Sequence, residues 1–396
     1  MKKGLFRYNI LFVWLFAGML LFSACIYDFS VSELDPGKEE VSLIVVEGDI
    51  AVGDYSYIKV YTTIPLEAVN GTSYITNARV WVEDGDGMKV QGTSQTGLYA
   101  INTTGLSYDR EYKLCVDIPG RGLYESKLQP VIETPPIDSI TFSIKDDNTE
   151  LYIEVTTHND SNEPLYCKWS YESDWEFQSY HVPQLGYSPS LGMYELSDQQ
   201  KSIMRNCWNS EKSFYIYVAN TEDLSKNLIY KQRLNTIGYA DKKLDYLYST
   251  LITQTAISHE AYVYWSNIKK NSSELGGIFA PQPVEVKGNI ISVSNPDEVA
   301  LGYVSVSTKS VLRRYITREE AEIYDPDPEG ECAHVEPYAI DMWPDLYASN
   351  MSPLTYVMLE SGELNRNEAR WCMNFCSDCR YTGTKNKPSY WPNDHI

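Results

Sequence analysis

Short apolar segments of alternating pattern, each ended by glycine, asparagine or aspartate, most strongly limit how this chain can fold. Every second side chain is apolar in residues 57–61, 79–83 and 112–116, as in half-buried strands. Asp84-Gly85-Asp86-Gly87 separates two such strands and predicts a hairpin turn, because glycine accepts the positive φ that the turn requires. Residues 41–134 are therefore predicted to form an N-terminal β-sandwich.

A proline pair marks the predicted domain boundary. The segment Thr134-Pro135-Pro136-Ile137-Asp138 is typical of a rigid, extended linker. Beyond it, strand patterns at 139–145, 151–157 and 166–171 indicate a second β-rich domain over residues 135–396, with a sandwich from about 137 to 256. Residues 184–200 are aromatic and rich in turn formers, so we expect a long loop over that sandwich.

One helix is predicted near residues 258–271. Ser258 suits the N-cap, and Glu260 complements the positive end of the helix dipole. Ala261, Trp265 and Ile268 recur at helical spacing and form an apolar stripe that we expect to pack on a sheet. Gly276-Gly277 is expected to end the helix, and strands are predicted again at 286–293 and 299–307.

The N-terminus has the pattern of an export signal. Lys2, Lys3 and Arg7 precede an apolar run that ends in Ser23-Ala24-Cys25. A cysteine directly after small residues is what a bacterial lipoprotein signal requires, so residues 1–24 are predicted to be cleaved and Cys25 to be acylated. Several acyl chains make such an anchor stable. Residues 25–40 lack apolar periodicity and are predicted to be a lipidated tether.

Seven cysteines follow Cys25. The C-terminal group Cys372-x3-Cys376-x2-Cys379 has the spacing of radical-SAM iron–sulfur enzymes. Those enzymes are cytoplasmic barrels with this motif near the N-terminus, whereas this chain is predicted to be exported and has the motif near its C-terminal end, so an iron–sulfur cluster is disfavoured. Zinc held by Cys332, His334 and two of the clustered thiols is the next alternative. Disulfides are favoured in an exported protein, and we expect them to attach the tail to Cys332, Cys207 or both. The sequence leaves the pairing open. The disulfide candidates are Cys207, Cys332, Cys372, Cys376 and Cys379; we predict neither a metal site nor a cofactor.

The formal charge of −21 argues against nucleic acid as a partner, because binding to phosphates needs clustered Lys and Arg. The 32 tyrosines, against 10 phenylalanines, are typical of exposed sheets and of surfaces that face sugars or peptides. None of the five histidines lies in an HExxH motif, and neither GxSxG nor a Walker loop is present. We therefore expect a protein that is not an enzyme. A glycosidase, which needs only two carboxylates, stays the enzymatic alternative.

Two acidic segments could be interpreted either as calcium-binding loops or as ordinary turns and loops. The predicted turn at residues 84–87 has only two carboxylates and lacks a bidentate glutamate, which favours a hairpin. The run Asp325-Pro326-Asp327-Pro328-Glu329-Gly330-Glu331 is expected to be a solvated loop.

An ordered set of short motifs resembles a known family. The segment Gly97-Leu98-Tyr99, followed by Tyr108-Asp109-Arg110-Glu111-Tyr112, looks like the late strands of a carboxypeptidase-regulatory-like, Ig-like sandwich. The wider set is His259-Glu260-Ala261-Tyr262, Gly276-Gly277-Ile278-Phe279-Ala280-Pro281, Gly288-Asn289-Ile290, Asn295-Pro296, Gly302-Tyr303, Cys376-x2-Cys379-Arg380, Lys387-Pro388 and Tyr390-Trp391. It resembles the Bacteroidota outer-membrane lipoproteins known as domain of unknown function 4249. We expect a mainly β fold: tandem β-sandwiches, one or a few short helices and a disulfide-stapled C-terminal tail.

The resemblance implies an envelope protein that is commonly encoded beside a TonB-dependent transporter, without established catalytic residues. We expect a non-catalytic accessory subunit that docks on such a β-barrel and assists nutrient capture or uptake; the alternative is a free-standing surface adhesin. The expected partners are outer-membrane lipid through acylated Cys25, the transporter, and a peptide or glycan ligand. The expected location is the outer membrane, lipid-anchored at the cell surface, with the periplasmic leaflet as the alternative.

Overall fold

The structure, a computed structural model, describes residues 42–64, 73–145, 149–238, 241–273, 286–322, 330, 332–333 and 335–393. The chain divides into two compact units. The first consists of residues 1–43 and 64–71, of which only three are described. The second consists of residues 44–63 and 72–396 and contains every helix and strand discussed below.

Strands make up most of the described regular structure, and the bounds of each element are as follows. The strands are β1 (Ile44–Glu47), β2 (Ile50–Ala51), β3 (Tyr55–Thr62), β4 (Ser73–Tyr74), β5 (Arg79–Asp84), β6 (Lys89–Gln95), β7 (Leu98–Asn102), β8 (Glu111–Ile118), β9 (Gly122–Ser126), β10 (Gln129–Pro130), β11 (Ile137–Ile144), β12 (Glu150–His158), β13 (Tyr166–Gln178), β14 (Leu185–Ser188), β15 (Gly192–Glu195), β16 (Asn206–Lys212), β17 (Tyr217–Asn220), β18 (Leu228–Gly238), β19 (Leu247–Ala256), β20 (Ile290–Ser292), β21 (Ala300–Leu301), β22 (Val306–Ser307), β23 (Ser310–Thr317), β24 (Glu336–Ala339), β25 (Met351–Met358) and β26 (Leu364–Met373). The α-helices are α1 (Asp198–Arg205), α2 (His259–Ser273), α3 (Trp343–Ala348) and α4 (Asn374–Ser377), and 3-10 turns lie at Lys242–Leu244, Ile340–Met342 and Cys379–Tyr381.

The N-terminal strands form one continuous sheet that folds over a single core. Its order is β20-β9-β8-β5-β6-β7-β3-β1-β21, and β6 joins the two halves because its first residues pair with β5 and its last residues pair with β7. In β3, Ser56, Ile58 and Val60 are buried, as the alternation predicted. The residues between them, Tyr57 and Lys59, are exposed and partly exposed. The predicted hairpin turn is confirmed: the Asp84 carboxylate accepts from the backbone N–H groups of Asp86 and Met88.

A segment far along the chain completes this first sheet. Strands β21 and β22 pair parallel to β1 and β2, and β20 pairs antiparallel to β9. Ile290, Val304 and Val306 pack in the same core as Ile44 and Ile58. Residues 290–307 therefore belong with the N-terminal strands in space, although their sequence position placed them in the predicted second domain.

Two motifs of the family resemblance, Gly288-Asn289-Ile290 and Gly302-Tyr303, bring this segment against the N-terminal strands. A Cβ on Gly288 would lie 1.7 Å from the Gly302 carbonyl oxygen, and a Cβ on Gly302 would lie 2.0 Å from the Val46 carbonyl oxygen. Asn289 fixes the same contact, because its side chain both donates to the Val304 carbonyl and accepts from the Val304 N–H. These motif residues are thus used for backbone-to-backbone packing.

The predicted proline linker is held by hydrogen bonds on both sides. Thr134 bonds through its N–H and its hydroxyl to Thr308, and the Pro135 carbonyl accepts from Gln254 at 2.8 Å. This segment is therefore fixed between Thr308, which lies just before β23, and Gln254 on β19.

The second sandwich packs a three-stranded sheet (β11-β12-β18) against a five-stranded sheet in which β13 is central. Strand β13 pairs with β19 along one edge and with β16 and β17 along the other. Its odd-numbered residues, including Cys167, Trp169 and Phe177, fill the core between the sheets. Its even-numbered residues lie on the outer face of the five-stranded sheet.

The region predicted as a loop at residues 184–200 is ordered, so that prediction was wrong. Strands β14 and β15 form a hairpin there, and Ser197 and Gln200 form a capping box at the start of α1. Leu185 packs with Trp343 and Trp371 of the C-terminal strands and helix α3. Long-range packing therefore orders a segment whose own sequence is dominated by turn formers.

Two disulfides attach the tail to the body. Cys207 on β16 is bonded to Cys379, and Cys332 is bonded to Cys376. The prediction of a mainly β fold with β-sandwiches, few helices and a disulfide-stapled tail is therefore confirmed. Cys372, which we also predicted as a disulfide candidate, is a free buried thiol on β26, and that prediction was wrong. Cys207 and Cys332 are already bonded to Cys379 and Cys376, so neither is left to pair with Cys372.

Candidate ligand-binding cleft

A cleft of about 400 Å³ opens where the first sheet meets the outer face of the five-stranded sheet. It carries aromatic rings, hydroxyl groups and charges of both signs. Its principal side chains are Glu47, Asp49, Tyr57, Lys168, Ser170, Ser213, Tyr215, Thr253, Thr255, Trp265 and Lys309.

The sheet register supplies the floor of the cleft. Lys168 lies opposite Thr255, and Ser170 lies opposite Thr253, so the four side chains share the outer face. The alternate residue Trp169 points into the core, where its indole N–H donates to Gln254. One strand therefore provides both core packing and the floor of the cleft, because successive side chains alternate between faces.

Helix α2 supplies one wall. The predicted N-cap is confirmed, since the Ser258 hydroxyl accepts from the Ala261 N–H at 3.2 Å. The predicted apolar stripe packs beside Val218 and Tyr303, with Ala261 fully buried. Trp265 lies on this stripe and turns its ring toward β13, where the Lys168 ammonium sits 4.6 Å from the ring centroid.

The rim is formed by exposed tyrosines. Tyr57 is 52% exposed and Tyr215 is 77% exposed. A tyrosine ring offers a flat apolar face together with a hydroxyl, so it can contact a ligand that is partly apolar and partly polar. The rim rings and Trp265 together make the cleft wall an aromatic surface.

Every charged side chain that lines the described cleft has a partner of opposite charge. Lys168 pairs with Asp49, which also accepts from the Ser305 N–H. Glu47 pairs with Lys59 at 2.9 Å, and Lys309 lies 3.5 Å from the Asp54 carboxylate. The cleft therefore presents hydroxyls and rings beside charges that already have partners.

Burial makes the free thiols unreactive. It raises the pKa of Cys372 to about 11 and that of Cys167 to about 12, so both stay neutral near pH 7. Cys115 is likewise buried, with a pKa of about 12. Cys167 and Cys372 act as small apolar core residues, whereas the Cys115 thiol donates to the Glu83 and Glu125 carboxylates.

The structure leaves few thiols for a metal at the tail. Of the residues in the zinc alternative, Cys332, Cys376 and Cys379 are in disulfides, and a disulfide offers no thiolate. His334, Cys25, the signal and tether segments and most of the acidic 325–331 run lie outside the described residues. Within those residues, no group of three or more His, Cys, Asp or Glu is placed to hold a metal ion. No helix in the described ranges is long and apolar enough to cross a membrane.

His158 is expected to give a pH-dependent contribution to stability. Its Nδ1 lies 2.8 Å from the Asp138 carboxylate, whose hydrogen bond and negative charge raise the pKa of His158 above 6.5. A raised folded-state pKa means that the contribution is fully present below pH 6.5 and is lost as the pH rises through the folded-state pKa. An NMR titration should show the His158 pKa falling toward 6.5 in Asp138→Asn. An unchanged titration in that variant would contradict the assignment.

Sequence reasoning did not single out the cleft residues. Trp265 was predicted as core, but Tyr57, Lys168 and Tyr215 had no distinguishing motif. Alternation along β13 was the available signal, since it placed Lys168 and Ser170 on one face. No sequence signal indicated the contact between that face and the Glu47–Asp49 turn, because this contact depends on the pairing of β1 and β2 with residues 300–307.

The comparisons place the chain in a family and give weak structural likenesses. Among curated proteins, none matches the chain. Solved structures with local likeness include a two-domain fibronectin type-III segment of chicken tenascin, with 13% identity over 55% of this chain and 91% of that chain and a TM-score of 0.17. The Enterococcus faecalis MSCRAMM ACE, which binds its ligands by the collagen hug model, has 8% identity over 54% of this chain and 89% of that chain, with a TM-score of 0.14. Neither likeness supports an argument about this chain.

The model of one protein family matches residues 30–313, which is most of the sequence. The match covers the first sandwich, most of the second sandwich and the cleft between them. The chain belongs to the family described as domain of unknown function DUF4249.

Proposed function

We propose that this protein is a non-catalytic outer-membrane lipoprotein that captures a nutrient ligand as an accessory subunit of a TonB-dependent β-barrel transporter. The observation that carries the proposal is the cleft, in which exposed aromatic rings and hydroxyls surround ion pairs that are already complete. Such a surface suits reversible recognition, because binding does not require a charged group to be left without a partner.

The chemistry of the cleft supports binding over hydrolysis. A glycosidase needs two carboxylates, one of them a proton donor with a raised pKa. The carboxylates that line the described cleft, Glu47 and Asp49, are both engaged by lysines. Neither histidine nor cysteine contributes to that part of the lining.

The anchor and the location follow from the sequence. Acylation of Cys25 would hold the mature chain on outer-membrane lipid, with residues 25–40 as the tether to the folded part. We propose that the folded part faces the cell surface, where a nutrient first arrives.

Affinity purification of the lipidated protein from its own detergent-solubilised outer membrane tests the accessory role. We expect a β-barrel transporter to be recovered in stoichiometric amount, identified by mass spectrometry. The matched control carries residues 1–40 of this chain on an unrelated folded domain, so that it is lipidated and solubilised in the same way. It should recover no transporter, because docking is assigned to the folded part.

Recovery of the lipoprotein alone, under conditions that preserve other barrel complexes, would overturn the accessory role. Equal transporter recovery by the control would also overturn docking by the folded part. In either case the free-standing adhesin becomes the leading function.

A further inference from the structure

The cleft is one end of a longer surface on the outer face of the five-stranded sheet. At this end, Trp265 stacks with Lys168, which pairs with Asp49. Further along the same face, the ring of Tyr390 lies 3.7 Å from the Arg313 guanidinium. Arg313 is 3.9 Å from Asp174, and the Tyr390 hydroxyl donates to the same carboxylate. The same combination of aromatic ring, cation and carboxylate therefore occurs twice.

The two combinations are spaced along one strand. Lys168 and Asp174 are both even-numbered residues of β13 and lie on the same face. Six residues of strand correspond to about 20 Å. Between them, Ser170 is exposed and Val311 on the neighbouring strand is 50% exposed. We call this surface, from Lys168 to Asp174 with its neighbours on β19 and β23, the outer strip.

The charged side chains of the outer strip described here already have partners of opposite charge. In addition to the ion pairs of the cleft, Glu172 pairs with Lys212 at 2.7 Å, and Asp174 is held by Arg313 and Tyr390. A charged ligand would have to displace one of these partners. A neutral ligand with many hydroxyls would instead bond to Ser170, Thr253 and the tyrosine hydroxyls while leaving the ion pairs intact.

The backbone argues against an extended peptide as the ligand. Peptides that add to a sheet use the unpaired main-chain groups of an edge strand. Strand β13 is paired with β19 from Cys167 to Glu176 and with β17 and β16 at residues 166–169 and 172–178, so its outer face presents mainly side chains. Recognition there must come from rings and hydroxyls.

We propose that the outer strip binds a neutral oligosaccharide chain, with sugar faces packed on Tyr57, Tyr215 and Trp265 at one end and on Tyr390 at the other. This inference rests on the proposed function, since it names the ligand class of the same cleft and extends the site along β13. Sugar rings pair apolar C–H faces with peripheral hydroxyls, which matches aromatic rings beside serine and threonine side chains.

Calorimetric titration of the full lipidated protein in detergent micelles tests the proposal. The probes are neutral malto-, xylo- and manno-oligosaccharides from disaccharide to heptasaccharide, with oligogalacturonates as acidic comparators. For at least one neutral series, we expect the affinity to rise with length until the chain spans about 20 Å. The acidic series should bind more weakly.

Variants locate the binding surface. Tyr215→Ala should weaken binding of every chain length about tenfold, because one stacked ring is lost. The matched control Phe214→Ala, a neighbour that is 91% exposed and outside the cleft lining, should leave affinity unchanged. Tyr390→Ala should weaken only the long chains, and Tyr390→Phe should restore their binding, because the ring is retained.

Three results would overturn the inference: no binding of any neutral series, tighter binding of the acidic series, or an equal effect of Tyr390→Ala on disaccharides and long chains. Circular dichroism of each variant identifies loss of fold. Failure here is distinct from failure of the accessory role, because transporter recovery is measured without added sugar.

Discussion

Gly302→Ala is expected to lower the free energy of unfolding by about 3 kcal/mol or more. Gly302 has a φ of +126°, which disfavours alanine, and the new Cβ would lie 2.0 Å from the Val46 carbonyl oxygen. The overlap is with backbone, so no side-chain rotation relieves it. Strand β21 would have to move away from β1 and open the shared core. Equilibrium unfolding in guanidinium chloride, followed by tryptophan fluorescence, measures the loss.

Gly87→Ala is the matched control for backbone conformation. Gly87 has a φ of +87°, and a Cβ there meets no atom within 4 Å. Its alanine variant should therefore lose only the conformational term, about 1–2 kcal/mol. If the two variants lose the same stability, the close contact between Gly302 and Val46 makes no separate contribution.

Removal of the Cys207–Cys379 disulfide is expected to lower the free energy of unfolding by about 5 kcal/mol. The bond joins residues 172 apart, so without it the unfolded chain gains much conformational entropy. The double variant Cys207→Ala with Cys379→Ala avoids an unpaired thiol. Its tail should lose the covalent link to β16 and become sensitive to limited proteolysis. Denaturant unfolding under non-reducing conditions gives the change in stability.

The second disulfide provides the comparison. Cys332 and Cys376 are 44 residues apart, so the double variant Cys332→Ala with Cys376→Ala should lower the free energy of unfolding by about 4 kcal/mol. A native stability and an intact tail in the Cys207 and Cys379 double variant would contradict the role given to that bond. Each double variant should retain the buried Cys372 thiol, which alkylating reagents can count after unfolding.

Local sequence patterns predicted much of the fold because they report which face of each element is buried. Alternation located β3, β5 and β8, and the Ser258 cap located α2. The same patterns carried no information about partners far along the chain. The parallel pairs Ile44–Ala300 and Ile50–Val306 could not be anticipated because nothing in either short segment specifies the other.

The candidate site was harder to predict for the same reason. Lys168, Trp265 and Tyr215 come from a strand, a helix and a loop, and each is unremarkable in its own segment. The disulfide partners of the tail also depended on tertiary contacts, although the stapling itself was predicted from the cysteine spacing and the predicted export signal. Cys372 shows the limit of spacing, because its neighbours in sequence are bonded while it is not.

The long-range closure of the first sheet has a consequence for how the chain folds as it is synthesised. Asp49 bonds to the backbone of Ser305, 256 residues later, and β2 gains its parallel partner only at Val306. A chain that emerges N-terminus first therefore has its first three strands ready long before their partner arrives. During that interval the edge of β1 is open to other chains, and open strand edges promote aggregation. We expect this slow, non-local closure to make the folding of the new chain, more than the folded state, the step that depends on chaperones.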